Sequence, residues 1–188
     1  MTHATDNDPA QPDGRPGGIV PDTKDWTWVV ADPCPECGFE PTDVVPSAVG
    51  SVVRSTLPRW REALSRPDVR TRPVPETWSA LEYGAHVRDV FTIFDARLAL
   101  MLGTDGAEFD NWDQDAAALE GRYAELDPAT VSAELTAAGE AVAARFDAVG
   151  ADQLERTGLR SNGSTFTVRT FGRYFVHDVV HHLHDVDA

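Results

Sequence analysis

Four stretches of the chain repeat their apolar residues at every third or fourth position, the period of an α-helix that buries one face, and this recurrence restricts the fold most. The first runs from about Pro46 to Ser65, with Val53, Leu57, Trp60 and Leu64 in line and Pro46 suited to a first helical turn. The second opens near Pro75 and continues to about Leu102. Its stripe of Val87, Phe91, Phe94, Leu98 and Met101 is widened by Val90 and Ile93, so it is expected at the centre. The third has Asp127 as N-cap and Pro128 in the first helical position, then Val131, Leu135, Ala138, Val142, Phe146 and Val149, and it stops at Gly150. The fourth follows the turn Ser161-Asn162-Gly163-Ser164, takes Thr167 as its cap, and reaches the C-terminus through Phe171, Phe175, Val179 and Val186. Helices with one apolar face bury it on one another, so the expected fold is all-α, a four-helix bundle over residues 45–188.

Residues 103–127, between the second and third helices, are longer than most connections in bundles, and a short helix over about Asp113 to Glu125 is expected to interrupt them. A crossover of this length permits parallel neighbours and can roof a site. Strand signals are weak, and the segment around Thr165 to Val168 is too short to suggest a sheet.

At 188 residues the chain suits one domain. Acidic residues number 31 against 16 basic ones, a formal net charge of -15, which argues against nucleic acid and anionic membranes as partners. No apolar run approaches the roughly 18 residues of a membrane span, and the start of the chain lacks the pattern of a secretion signal, so a cytoplasmic location is expected. Residues 1–24, rich in Pro, Gly and Asp, are expected to form a floppy tail. Residues 25–44 are expected to form a non-helical cap containing the run Trp26 to Val30 and the chain's two cysteines, Cys34 and Cys37. Two cysteines so spaced can close a redox disulfide, supply half of a tetrahedral zinc site, or serve in packing alone. No second Cys pair is present, so a zinc site needs His or carboxylate partners or a second subunit.

The fourth helix carries His177, Asp178, His181, His182 and His184, and the second carries His86. At about 100° per residue, His182 lies roughly 60° and Asp178 roughly 100° from the centre of the apolar face, whereas His177 and His181 lie roughly 160° away. His86 lies roughly 70° from the middle of its own apolar sector. Donors at the border of a bundle interior can converge on one ion, so His86, Asp178 and His182 rank first as metal ligands, with His177 and His181 as the second-rank pair. Asp185 and Asp89 could orient His182 and His86 through their second ring nitrogens. Asp178 could itself be such an acceptor, with His177 or His181 as ligand. A solvated polar face stands as the plain alternative for a histidine cluster on a terminal helix.

The stretch Trp78-Ser79-Ala80-Leu81-Glu82-Tyr83-Gly84-Ala85-His86 and the run His177-Asp178-Val179-Val180-His181-His182-Leu183 resemble the second and last helices of the DinB-like metal-binding four-helix proteins. In that last helix a ligand stands four residues before the second His of a His-His pair. Here the position is Asp178, and the mycothiol-dependent maleylpyruvate isomerase branch also places a carboxylate there. The resemblance covers roughly residues 45–187, without the tail or the Cys pair. It implies a long crossover, a divalent metal (zinc first, nickel second) and often a homodimer. It also implies S-transferase or isomerase chemistry with a low-molecular-weight thiol such as mycothiol or bacillithiol.

Three protein ligands leave a coordination position open, and a thiol bound there becomes a nucleophile at neutral pH. The expected function is therefore a metal-dependent enzyme that uses a small thiol against an electrophile. The alternative is a non-catalytic metal-binding module with a redox- or zinc-sensing Cys pair, and a third reading is hydrolysis by metal-activated water. Arg169 and Arg173 could hold a substrate carboxylate, with surface ion pairing as the competing role, and Tyr174 could donate to an oxyanion or serve in core packing. No Ser-His-Asp arrangement, Walker loop or GxGxxG fingerprint is present.

Overall fold

Most of the long helices begin where the sequence offers an oxygen to their first amides. The computed structural model describes residues 18–20 and 24–188. The tail expected over 1–24 lies outside the described residues apart from 18–20 and Lys24. Helix α1 (Val49–Leu64) is entered through a 3-10 turn at Pro46–Ala48. Helix α2 (Ala80–Gly103) starts later than Pro75 suggests, because Ser79 and Glu82 form a reciprocal capping box there, the Ser79 N–H donating to Glu82 Oε2 at 2.9 Å. Helix α4 (Pro128–Asp147) is capped by Asp127 and α5 (Val168–Asp185) by Thr167, as read from the sequence. The crossover holds a short helix, α3 (Gln114–Glu120), followed by a 3-10 turn at Tyr123–Glu125.

Ion pairs and ring contacts define the directions. Near the start of α1, Arg54 reaches Glu140 at 2.9 Å and Asp147 at 2.7 Å at the end of α4, so these helices are antiparallel. Arg88 meets Glu134 at 2.9 Å, and Arg145 meets Asp95 at 2.8 Å further along, so α2 and α4 run parallel. Helix α5 opposes α2, with Phe94 stacked on Phe171 and Phe175 at ring distances of 4.7 and 4.9 Å, and it closes the bundle against α1. The long crossover is what lets α2 and α4 run parallel, and α5 in turn runs parallel to α1, with Gly172 beside Val49 at their starts. Gly139 permits the close approach of three helices, since a Cβ there would lie 2.6 Å from Leu57 and 2.9 Å from Phe91.

A small sheet was not expected and is present. Strands β1 (Ala107–Phe109), β2 (Thr157–Arg160) and β3 (Thr165–Thr167) lie in that order, β1 parallel to β2 and β2 antiparallel to β3. Strands of three or four residues show too little alternation to read, and β1 and β2 come from distant parts of the chain. Residues 25–44 contain 3-10 turns at Trp26–Val30 and Pro41–Asp43 and no α-helix. This segment lies on α5, where Arg173 donates to the Val30 carbonyl at 3.2 Å.

Candidate metal centre

His86 sits two turns into α2, fully buried between two indoles, with Trp112 of the crossover stacked on it at 5.3 Å and Trp78 tilted against it at 5.3 Å. Both of its ring nitrogens are buried without a hydrogen-bond partner among the described residues, and so is Asp178 Oδ1. His86 Nε2 and His182 Nε2 each lie 3.7 Å from Asp178 Oδ1, and the three donors fall within 4.8 Å of one another. A separation of 3.7 Å exceeds a hydrogen bond, yet it is close to the edge, about 3.3–3.6 Å, of a tetrahedron with arms of about 2.0–2.2 Å. A buried polar atom left unpaired costs about 1–3 kcal/mol, so His86 Nε2 and Asp178 Oδ1, facing each other without a hydrogen-bond partner among the described residues and with His182 Nε2 beside them, call for a ligand, and a divalent cation fits this donor set.

The neighbours of the cluster support that fit. His182 Nδ1 lies 2.8 Å from Asp185 Oδ2, so the carboxylate fixes the ring and directs Nε2 toward Asp178. Asp89 does not do the same for His86. It accepts instead from the Tyr123 hydroxyl and from Arg88 Nε at 2.8 Å, donors that occupy both of its oxygens. Burial holds the His86 imidazole below its ordinary pKa, so it is neutral at pH 7. For Asp178 burial acts upward, but the facing His86 and His182 rings outweigh it and keep the carboxyl below its usual range. A neutral imidazole and an ionised carboxylate are the forms that donate to a cation.

His177 and His181 turn to the other side of α5. Their outward position on the helical wheel predicts exposure, but both are buried, because residues 26–39 cover that face. Trp26 lies 5.3 and 5.0 Å from the two rings, and Phe39 lies 5.2 Å from His177. The cysteines arrive there too, so that donors of Cys34, Cys37, His177 and His181 all lie within 4.8 Å of one another. The two histidine-containing pairs on α5 therefore do not compete for one place: Asp178 and His182 face His86, and His177 and His181 face the thiols.

A cleft of about 1050 Å³ opens over the His86 cluster, walled in part by Trp26, Tyr83, Trp112, Arg160 and Tyr174. The sequence reading missed Trp112 and Arg160, which lie in segments without periodicity. Arg160, on β2, donates to the Tyr174 hydroxyl at 3.3 Å and to Ser164 Oγ at 3.0 Å. Arg169 pairs with Glu155 at 2.9 Å and Arg173 is engaged by Val30, so neither forms the cleft wall.

A bundle in which α2 runs parallel to α4 and α1 to α5, with a His-Asp-His cluster between its second and last long helices, defines the class of protein. Residues 51–186 match the DinB superfamily, and the chain belongs to it. The fold is similar to that of YfiT from Bacillus subtilis, described as "a probable metal-dependent hydrolase with an unusual four-helix bundle topology". That likeness has a TM-score of 0.68 and 16% identity, and it covers 79% of this chain and 91% of that one. No curated protein matches the chain. Among the described residues, no helix is long and apolar enough to cross a membrane.

Proposed function

We propose that the protein is a metal-dependent enzyme in which His86, Asp178 and His182 hold a divalent ion and a low-molecular-weight thiol serves as nucleophile toward an electrophilic small molecule, by transfer or by isomerisation. The observation that carries the metal is His86, wholly buried with two nitrogens that have no hydrogen-bond partner among the described residues, one of them 3.7 Å from a carboxylate oxygen that likewise has none. Two nitrogens and one oxygen suit zinc, with nickel as the second choice. An ion with three protein donors keeps room for a further ligand and acidifies a thiol or water placed there.

The chain's own residues supply the rest. Asp185 orients His182, while Trp78 and Trp112 screen the His86 ring from water. Burial, and after it the nearby Asp178 charge, raises the Tyr174 hydroxyl above its ordinary pKa, so it remains a proton donor at the cleft wall. Arg160 brings positive charge to that wall in a strongly acidic protein and suits a carboxylate on thiol or substrate. A cleft of about 1050 Å³ is at the upper end of small-molecule sites, about 300–1000 Å³, which leaves room for two reactants together.

Hydrolysis is the second reading, favoured by the likeness to YfiT, and it uses the same donors. Elemental analysis and activity test both. The His86→Ala protein is expected to stay folded and to lose one equivalent of metal relative to the unaltered protein, together with thiol-dependent conjugation of an electrophile such as a chloronitrobenzene. Metal content unchanged by the substitution refutes the centre. Product formation that needs no thiol refutes the thiol chemistry in favour of hydrolysis.

A further inference from the structure

The cluster on the opposite side of α5 uses no residue of the His86 centre, and its chemistry is different. Both thiols are free, and Cys34 is buried. The loop that carries them is tight: the Cys34 N–H donates to the Phe39 carbonyl, and the Gly38 N–H to the Cys34 carbonyl, each at 2.9 Å. Gly38 has φ +73, a conformation that favours glycine, and it lets the chain fold back so that both sulfurs face α5. There, His177 and His181, one helical turn apart, provide two imidazoles. Cys34 Sγ already lies 3.8 Å from His181 Nδ1, and the edges of a tetrahedral zinc site with two sulfurs and two nitrogens are about 3.3–3.8 Å.

We propose that Cys34, Cys37, His177 and His181 form a second, structural zinc site that fastens residues 25–44 to α5. Independent observations point to a cation. His177 Nε2 is buried without a hydrogen-bond partner among the described residues. His181 Nε2 faces Glu36 Oε2 and Asp185 Oδ1, each at 3.7 Å, so with Nδ1 turned to the thiols the outer nitrogen has carboxylates beside it, the usual surroundings of a metal-bound imidazole. Charge agrees as well. On binding, each thiol releases a proton to solvent and two sulfur–zinc bonds form, so two thiolates, two neutral imidazoles and one divalent ion sum to zero. A neutral site can be buried against Trp26 and Phe39 without the cost of an isolated charge.

Four protein donors complete a tetrahedron and leave no position for substrate, which separates this site from the His86 centre. Its effect on the cleft is mechanical. The segment it anchors contributes Trp26 and Glu36 to the cleft wall, so the ion holds part of the substrate chamber in place.

The test counts zinc per chain after expression with zinc and examines the sulfur environment. Two equivalents are expected in the unaltered protein, one in His86→Ala and one in Cys34→Ser/Cys37→Ser. X-ray absorption on the His86→Ala protein, whose cysteines are intact, should find sulfur neighbours at about 2.3 Å. This measurement does not depend on the double variant folding. One equivalent in both the unaltered and the His86→Ala proteins, with sulfur neighbours, would sustain the second site and sink the proposed enzyme centre. Metal-free His86→Ala protein, metal without sulfur neighbours, or a Cys34–Cys37 disulfide in the isolated protein would each overturn the inference.

Discussion

Replacing Asp185 with Ala removes a carboxylate that hydrogen-bonds His182, leaving the three donors of the His86 centre intact. The contact is short, 2.8 Å, and the His182 and Asp185 side chains are 17% and 24% exposed, so water can partly take over the lost acceptor. Loss of such an outer partner typically weakens metal binding by about 10–100-fold. Partial exposure places this case toward the lower end, near tenfold, or about 1.4 kcal/mol. The affinity is to be measured by competition with a chromophoric chelator in a Cys34→Ser/Cys37→Ser background, which removes the other cluster from the count. Asp185→Asn keeps an acceptor oxygen without the charge and should recover part of the loss. Equal metal affinities with and without the Asp185→Ala change would refute the claim that this carboxylate orients a ligand.

Two further outcomes follow from the core and from the buried imidazoles. Phe175 is fully buried against Phe94 and Phe146, and Phe175→Ala should lower unfolding stability by about 3–5 kcal/mol in a denaturant titration, with the helical signal of the folded baseline unchanged. Burial depresses His86, His177 and His181, with His177 lowered from 6.5 to about 4. The unfolded chain then takes up protons that the folded chain resists, so the metal-free protein should lose stability as pH falls below 6.5, until His177 itself protonates near 4. Denaturant midpoints across that interval check the sign, and a flat profile would contradict it.

The helices were legible because their stripes are long: Val53 to Leu64 and Val131 to Phe146 each repeat over several turns, and Asp127 and Thr167 mark the starts of α4 and α5. His86, Asp178 and His182 could be picked out because a bundle interior has a predictable border. The burial of His177 and His181 could not be read from α5 alone. It depends on a cap whose turns have no period and whose cysteines lie well over a hundred residues away in sequence. The sheet and Trp112 escaped for a related reason, since short strands and single aromatic residues in loops acquire meaning only through partners distant in the chain.

Helix α5 offers Asp178 and His182 to one side and His177 and His181 to the other, two sets interleaved one residue apart. Such a rod behaves as a single camshaft. Inserting one residue between Tyr174 and His177 would rotate both sets by about 100° and disengage them together, whereas a point change disables only one. A change of length between the start of α5 and His177 therefore disturbs both clusters at once, through the backbone that they share.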